Sequence, residues 1–484
     1  MKFKKILIAN RSEIARRVIR SAHECSYHTI AIASPHDATA LYVREAGEHH
    51  TLNGNSPAES YLDVVQVLAI AKKAKADAVH PGYGFLSENA HFSEECAKAG
   101  IKFIGPTPEA IDLLGDKTKA RTLAKKLGVP TPGGTTEALH DETEAMTIAK
   151  KIGYPVMLKA AAGGGGKGMR IVEAEAGISE GLKRAKSEAL SSFGDDRVYI
   201  EKYITSPRHI EFQILADSFG NVVHLGEREC SIQRRNQKLI EESPSAVLTA
   251  AMRKEMGEAA ISLIKEAKYE GAGTVEFLVD EAGKYFFLEV NTRLQVEHPV
   301  TEFVTGLDLV REQFRIAEGE KLGMNQKDIV FRGHSIEARI QAEDVWNDFL
   351  PSLGKISYVR HPGGAFVRND SALFSGLEVS GFYDSLLSKL IVWDIDRSKA
   401  IRRMRRALEE MRIVGVSTTI PFASFVMENK TFQNGALSTK FVGDEFTSDV
   451  RDLLHEKYID KNADAFLAVQ AYIDKKRERS LFIT

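Results

Sequence analysis

The sequence predicts an α/β protein, α+β overall, built from several domains. Two observations carry this. Residues 1–117 alternate short apolar runs with helical patterns, which argues for a parallel sheet with helices on its faces. Beyond residue 205, strands follow one another in hairpins interleaved with helices. At 484 residues the chain is too long for one ordinary core. Charged residues at 27% and hydrophobic ones at 43% fit a folded globular protein rather than a disordered one. A net charge of −2 gives no bulk electrostatic reason for nucleic-acid binding.

In chain order, residues 5–9 read as a strand, 12–25 as a helix, 29–33 as a strand and 61–74 as a helix. Residues 78–80 and 102–104 complete the set as strands. Pro81-Gly82-Tyr83-Gly84-Phe85 follows a strand end, where ligands bind in open α/β sheets; a plain strand–helix turn also fits. Residues 118–134 read as a helix and a linker rich in turn formers. Residues 135–204 hold strands at 155–160, 169–172 and 197–203, around a glycine loop and two helices. From 205 to 445 come strands, helices at 250–267 and 309–319, a β-rich stretch at 354–393 and a helix at 397–411. Residues 451–460 and 463–477 read as charged amphipathic helices of a tail.

Three cysteines, Cys25, Cys96 and Cys230, lie far apart and form neither a disulfide framework nor a CxxC metal site. They fit a reducing compartment. The apolar run after Met1 stops at Asn10-Arg11-Ser12-Glu13, too short for a signal peptide. No stretch approaches the ~18 apolar residues that span a bilayer. The expectation is a cytoplasmic protein with no membrane and no nucleic-acid partner.

Gly163-Gly164-Gly165-Gly166-Lys167-Gly168 follows the strand that carries Lys159. Glycines let backbone N–H groups approach phosphate oxygens. The loop is not a Walker A motif, because Lys167 precedes Gly168 and not Ser or Thr. A flexible linker also fits it, but Lys117, Lys159 and Lys167 favour a lid over nucleotide phosphates. Residues 273–279 and 284–289 bracket Asp280-Glu281-Ala282-Gly283 as a hairpin. A four-residue loop puts Glu276 opposite residue 287 and makes Glu289 its diagonal neighbour on one face. Such a pair repels unless a cation lies between, and Mg²⁺ takes one or two carboxylates plus phosphate oxygens. A solvent-facing sheet edge is the alternative.

Residues 286–298 then run from an apolar strand into Glu289, Asn291, Arg293, Gln295, Glu297 and His298. Buried charge without a partner is very costly, so something polar belongs there, and a metal-bound polyphosphate fits. Glu201-Lys202-Tyr203 ends a strand whose backbone can pair with a purine edge; a surface ion pair fits equally. Arg293, Glu297 and Arg339 suggest arginine forks on a planar anion with a glutamate base between them, or else a structural ion-pair network.

Together these segments resemble the biotin carboxylase family of the ATP-grasp superfamily. The likeness runs from about Lys5 to about Val442. It covers Ile8-Ala9-Asn10-Arg11-Ser12-Glu13, His80-Pro81-Gly82-Tyr83-Gly84-Phe85-Leu86-Ser87-Glu88-Asn89 and Gly115-Asp116-Lys117. It continues through Cys230-Ser231-Ile232-Gln233-Arg234-Arg235, residues 289–299 and Tyr383-Asp384-Ser385. The resemblance implies an ATP-grasp fold: a Rossmann-like N-terminal domain (1–117), a linker helix (118–134) and a mobile glycine-rich lid (135–204). A central and C-terminal biotin carboxylase domain (205–445) and a charged helical tail (446–484) follow.

The implied chemistry is an ATP-dependent ligase reaction. ATP phosphorylates bicarbonate to carboxyphosphate, which carboxylates N1′ of biotin. By resemblance, Lys117, Lys159, Gly164, Gly165, Gly166, Lys167, Glu201, Lys202, His209, Gln233, Asn236 and Leu278 hold ATP. Glu276, Glu289 and Asn291 hold Mg²⁺ or Mn²⁺. Lys238, Arg293, Gln295 and Val296 bind bicarbonate, and Glu297 is the base. Arg339 stabilises the biotin enolate-like anion, with Tyr83 beside the biotin rings.

The sequence departs from the family pattern at Asn236, where many members have His, and at Lys167, where many have Arg. Ser380-Gly381 replaces a Pro-Pro of some members. Arg20, Glu24 and Arg368 match homodimer positions, with Phe366 shifted and Ala365 in its place. The biotin attachment signature Met-Lys-Met is absent, the one Met-Lys pair being Met1-Lys2. The expectation is a separate subunit that works on a biotin carboxyl carrier protein beside a carboxyltransferase subunit. The acceptor is acetyl-CoA, propionyl-CoA, pyruvate or 2-oxoglutarate. Another ATP-grasp acyl-phosphate ligase, such as a carbamoyl-phosphate-forming enzyme, shares the first step. It gives no reason for Arg339 and Tyr83 together. A non-catalytic binding member is the third reading.

Overall fold

The computed structural model describes residues 2–161 and 168–457. The expected glycine lid at 164–167 and the tail beyond 457 lie outside them. Five parallel strands open the chain, in spatial order Glu48–Thr51, His28–Ala33, Lys5–Ile8, Ala78–His80 and Lys102–Phe103. Ile6, Leu7, Ile8, Ile30, Ile32 and Val79 are fully buried, as the continuous apolar runs of a covered parallel sheet require. The edge strand Glu48-His49-His50-Thr51 has no apolar alternation, so its sequence does not reveal it. Helix Val64–Lys73 starts three residues later than the pattern predicts. Asp63 caps it by accepting from Gln66 N at 3.0 Å. Tyr61 is instead buried, with its hydroxyl donating to Asp37.

Three antiparallel strands follow, in order Met169–Val172, Val156–Ala160 and Val198–Lys202. Helices Glu142–Ile152 and Ile178–Phe193 bury Ala145, Ala149, Leu182 and Ala185 against Val156, Leu158 and Ile200. The strand period of two leaves the other face to Met157, Lys159 and Glu201.

An eight-stranded antiparallel sheet spans the rest. Its order is Tyr285–Asn291, Gly271–Val279, Arg208–Ala216, Val222–Arg234, Gln237–Ser243, His334–Gln341, Leu386–Asp394 and Val367–Ser371. Helix Ala250–Glu266 covers one end and helix Arg397–Glu410 the other, each through an apolar stripe. The sheet faces the three-stranded unit across a cavity of about 940 Å³. At the C-terminal side residues 448–457 are helical, and His455 stacks on Trp346 with ring centroids 4.7 Å apart. Among the described residues no helix is long and apolar enough to cross a membrane.

Candidate active site

Every sequence-predicted site residue among the described ones lines this single cavity. The hairpin Gly271–Val279 and Tyr285–Asn291 supplies the metal candidates, in a different register from the expected one. Val279 pairs with Tyr285, Phe277 with Phe287, and Glu276 directly with Glu289. Two local features shift the register. Asp280 Oδ1 accepts from Ala282 N and Lys284 N, which lengthens the loop to five residues. A bulge then skips Leu288. Glu276 and Glu289 are therefore cross-strand partners rather than diagonal neighbours.

Lys238 sits at the centre. Its ammonium donates to Glu211 Oε2 (2.5 Å), Glu276 Oε1 (2.9 Å), Glu297 Oε1 (2.8 Å) and Gln295 Oε1 (3.2 Å). Burial works against its charge, but the three carboxylates hold its pKa well above the ordinary lysine value. The other oxygen of Glu297 accepts from Arg339 Nη2 at 2.9 Å, and Arg339 Nε donates to Glu241 at 2.6 Å. Burial also opposes ionisation of Glu297, yet Lys238, Arg339 and Arg228 keep it well below the carboxylate range. Glu276 is likewise held low, against burial, by Lys238 and His209. Glu297 is thus an ionised carboxylate between two cations, with Arg293 and the backbone of Gln295 and Val296 on the same wall.

At the other end Met157, Met169, Ile171, Ile204, Leu278 and Leu288 form an apolar slot for a flat ring. Lys117 pairs with Glu289 at 2.9 Å. Lys159 pairs with Glu201, which also accepts from Arg121 at 3.0 Å. Lys202 lines the wall, but its amine is tied to the carbonyls of Gly153 and Tyr154. His209 lies 2.8 Å from Glu276, and Gln233 approaches it at 3.4 Å. Asn236 closes a two-residue turn with φ of 49° at Arg235 and 64° at itself. Asn tolerates this left-handed region, as the tight hairpin needs.

Glu276, Glu289 and the Asn291 amide oxygen are hard oxygen donors, which suits Mg²⁺ or Mn²⁺. Lys117 pairs with Glu289 and Lys238 with Glu276, and His209 lies 2.8 Å from the other oxygen of Glu276. His209, Glu211 and Glu276 also bring ligand atoms within 4.8 Å of one another, but Lys238 already bridges Glu211 and Glu276.

Sequence reasoning missed Glu211, Arg228, Glu241 and Glu88. Glu211 alternates with His209 on one strand, so the period of two was an available signal. Arg228 is fully buried and donates to Glu211 (2.5 Å), Gln213 (2.6 Å), Thr301 (3.0 Å) and Thr274 (3.1 Å). Arg228→Met is expected to lower the melting temperature by roughly 6–12 °C. Removing one partner of a buried pair costs about 3 kcal/mol, at about 2–4 °C per kcal/mol for domains of ~200 residues. Adding Glu211→Gln should recover part of the loss in a calorimetric scan. No recovery would mean that packing, not charge, carries the effect.

A deep cleft between a small antiparallel unit and a larger sheet, with two lysines and facing carboxylates, defines the class: an ATP-grasp, ATP-dependent ligase. Three family models match in succession. "Biotin carboxylase, N-terminal domain" covers residues 2–111, "Carbamoyl-phosphate synthase L chain, ATP binding domain" covers 116–325, and "Biotin carboxylase C-terminal domain" covers 337–444. The chain belongs to the biotin carboxylase family. It is 53% identical to a pyruvate carboxylase subunit of Methanothermobacter thermautotrophicus, over 92% of this chain and 90% of that one. It is 53% identical to the biotin carboxylase of a Nostoc species, over 91% of this chain and 99% of that one. The crystal structure of the biotin carboxylase domain dimer of Hydrogenobacter thermophilus 2-oxoglutarate carboxylase, with MgADP, ADP and bicarbonate, superposes with a TM-score of 0.90. Its identity is 48%, covering 92% of this chain and 98% of that one.

Proposed function

We propose that this chain carboxylates biotin on a separate carrier protein, using ATP and bicarbonate through carboxyphosphate. The observation that carries the reading is the run Lys238–Glu297–Arg339: one carboxylate base held between an anion-binding ammonium and a guanidinium fork. Lys238 and Arg293 hold bicarbonate, with Gln295 and the Val296 backbone beside it. Glu297 takes its proton, so that its oxygen attacks the γ-phosphorus of ATP and ADP leaves. Lys117, Lys159, His209 and Gln233 orient the nucleotide, with Glu201, Lys202, Asn236 and Leu278 along the same wall. The glycine loop is assigned to the phosphates. Glu276, Glu289 and Asn291 hold Mg²⁺, which when bound neutralises phosphate charge. Carboxyphosphate then gives up its carboxyl group as its C–O bond to phosphate breaks, and the departing phosphate takes the N1′ proton. Arg339 fixes the biotin oxygen as N1′ accepts the carboxyl group, with Tyr83 against the rings.

The same reading divides the chain at 117, 134, 204 and 445, and makes it a cytoplasmic homodimer. The dimeric neighbour supports the latter, although Arg368 is engaged by Glu302 (2.6 Å) and Asp370 (2.6 Å) and Glu24 by Arg311 (2.6 Å). The final acceptor, held on a carboxyltransferase subunit, is an acyl-CoA or a keto acid such as pyruvate or 2-oxoglutarate.

The test is ADP release from the purified protein with Mg-ATP and bicarbonate, with and without free biotin. Stimulation by biotin that is lost without bicarbonate, and complete loss on chelating Mg²⁺, are the expected results. Bicarbonate-dependent ADP that neither biotin nor a biotinylated carrier stimulates would favour another acyl-phosphate ligase.

A further inference from the structure

We infer that Glu88 is a positioning residue for Arg293, and so sets affinity for bicarbonate. The inference rests on the reading of Arg293 as a bicarbonate ligand. Glu88 lines the same cavity from a different segment, the turn that follows strand Ala78–His80. It crosses to residues more than 200 positions away in sequence. Its Oε2 accepts from Arg293 Nε at 2.9 Å, and its Oε1 accepts from Thr292 N at 3.0 Å, with Thr292 Oγ1 at 3.4 Å.

The turn that bears Glu88 is rigid. Buried Asn10 donates to the carbonyls of Pro81 (2.7 Å) and Tyr83 (2.8 Å), and His80 Nδ1 accepts from Gly82 N (3.0 Å). Gly82 and Gly84 take φ of 65° and 66°, and a Cβ on Gly82 would come within 2.8 Å of the Asn10 amide. Asn89, the next residue, caps helix Ala90–Lys98 by accepting from Phe92 N at 2.8 Å. Glu88 is therefore fixed by its own backbone before it meets Arg293.

Within its own segment Arg293 has two uncharged partners, and Glu88 is the carboxylate it pairs with. Its Nη2 donates to Asn291 Oδ1 at 2.9 Å, and its Nη1 reaches the Leu294 carbonyl at 3.3 Å. Glu88 alone takes the Nε edge. Each Nη spends one N–H on these contacts and keeps a second, and Arg293 lines the cavity, so the fork still has donors for a planar anion. The Thr292 amide, held by the same carboxylate, fixes the backbone between Asn291 and Arg293. One carboxylate thus aligns the arginine from both sides of its Cα. The Arg293 side chain is 20% exposed, and without the charge of Glu88 it still feels the carboxylates of Glu297 and Glu276.

Glu88→Gln keeps the shape but removes the charge that orients Arg293. A charge-assisted hydrogen bond of this kind corresponds to about a tenfold effect on binding. The experiment measures bicarbonate KM, ATP KM and kcat for Glu88→Gln, with Arg293→Lys as reference. The expected result is a bicarbonate KM raised about tenfold in both variants, while Glu88→Gln leaves ATP KM within about twofold. Raised bicarbonate KM in Arg293→Lys but not in Glu88→Gln would overturn the positioning role alone. An equal rise in both KM values of Glu88→Gln would overturn it too, as a general structural defect. An unchanged bicarbonate KM in Arg293→Lys would overturn the bicarbonate reading, and the inference with it.

Discussion

Glu297→Gln is expected to bind Mg-ATP as the parent does and to turn over about a thousandfold more slowly. General-base catalysis contributes typically 10²–10⁴, and the amide can neither take a proton nor carry the charge. The fold should survive. Lys238 keeps Glu211 and Glu276 as partners, and Arg339 keeps Glu241. The nucleotide contacts proposed above lie elsewhere on the cavity, around Lys117, Lys159 and Glu201. Two measurements decide it: ATP affinity by titration, and bicarbonate-dependent ADP release. Normal turnover with normal binding would remove Glu297 from the chemistry. Lost binding would show that its charge serves the architecture instead.

Part of this site was legible in the pattern of residues 286–298, whereas Lys238, Gln233, Asn236 and Leu278 were named only through the family resemblance. The alternation Glu289, Asn291, Arg293, Gln295, Glu297 announces a polar wall after an apolar strand, and the structure places all five on the cavity. Register was not legible. The bulge at Leu288 and the Asp280-stabilised loop each shift the pairing by one residue, and neither leaves a mark in apolar periodicity. Partners from distant segments were not legible either. Glu241 meets Arg339 from 98 positions away, and Glu88 meets Arg293 from 205. A single sequence marks such residues only as isolated charges. Lys202 illustrates the converse: the sequence offers a strand end for a purine edge or a surface Glu–Lys pair, but its amine is tied to two backbone carbonyls.

Arg339→Ala should separate the two halves of the reaction. Biotin carboxylation is expected to fall by about 10²–10³, the usual cost of removing a donor aimed at developing negative charge. Bicarbonate-dependent ATP hydrolysis without biotin should fall by less than about tenfold. The structure explains the difference. Arg339 touches Glu297 through one nitrogen only, and Lys238 still holds the other oxygen of that carboxylate. Its Nε partner, Glu241, tolerates the loss as well. Burial pushes the Glu241 carboxyl up to about 7 even with Arg339 beside it, so without the arginine it takes a proton and stays buried neutral. The base and the fold are therefore expected to persist while the cation proposed for the biotin oxygen is gone. Arg339→Lys should lie between parent and Ala, since it restores charge without the planar fork. Equal losses of both activities in Arg339→Ala would mean that Arg339 works only by orienting Glu297, and the enolate role would then fall to another group on the cleft wall.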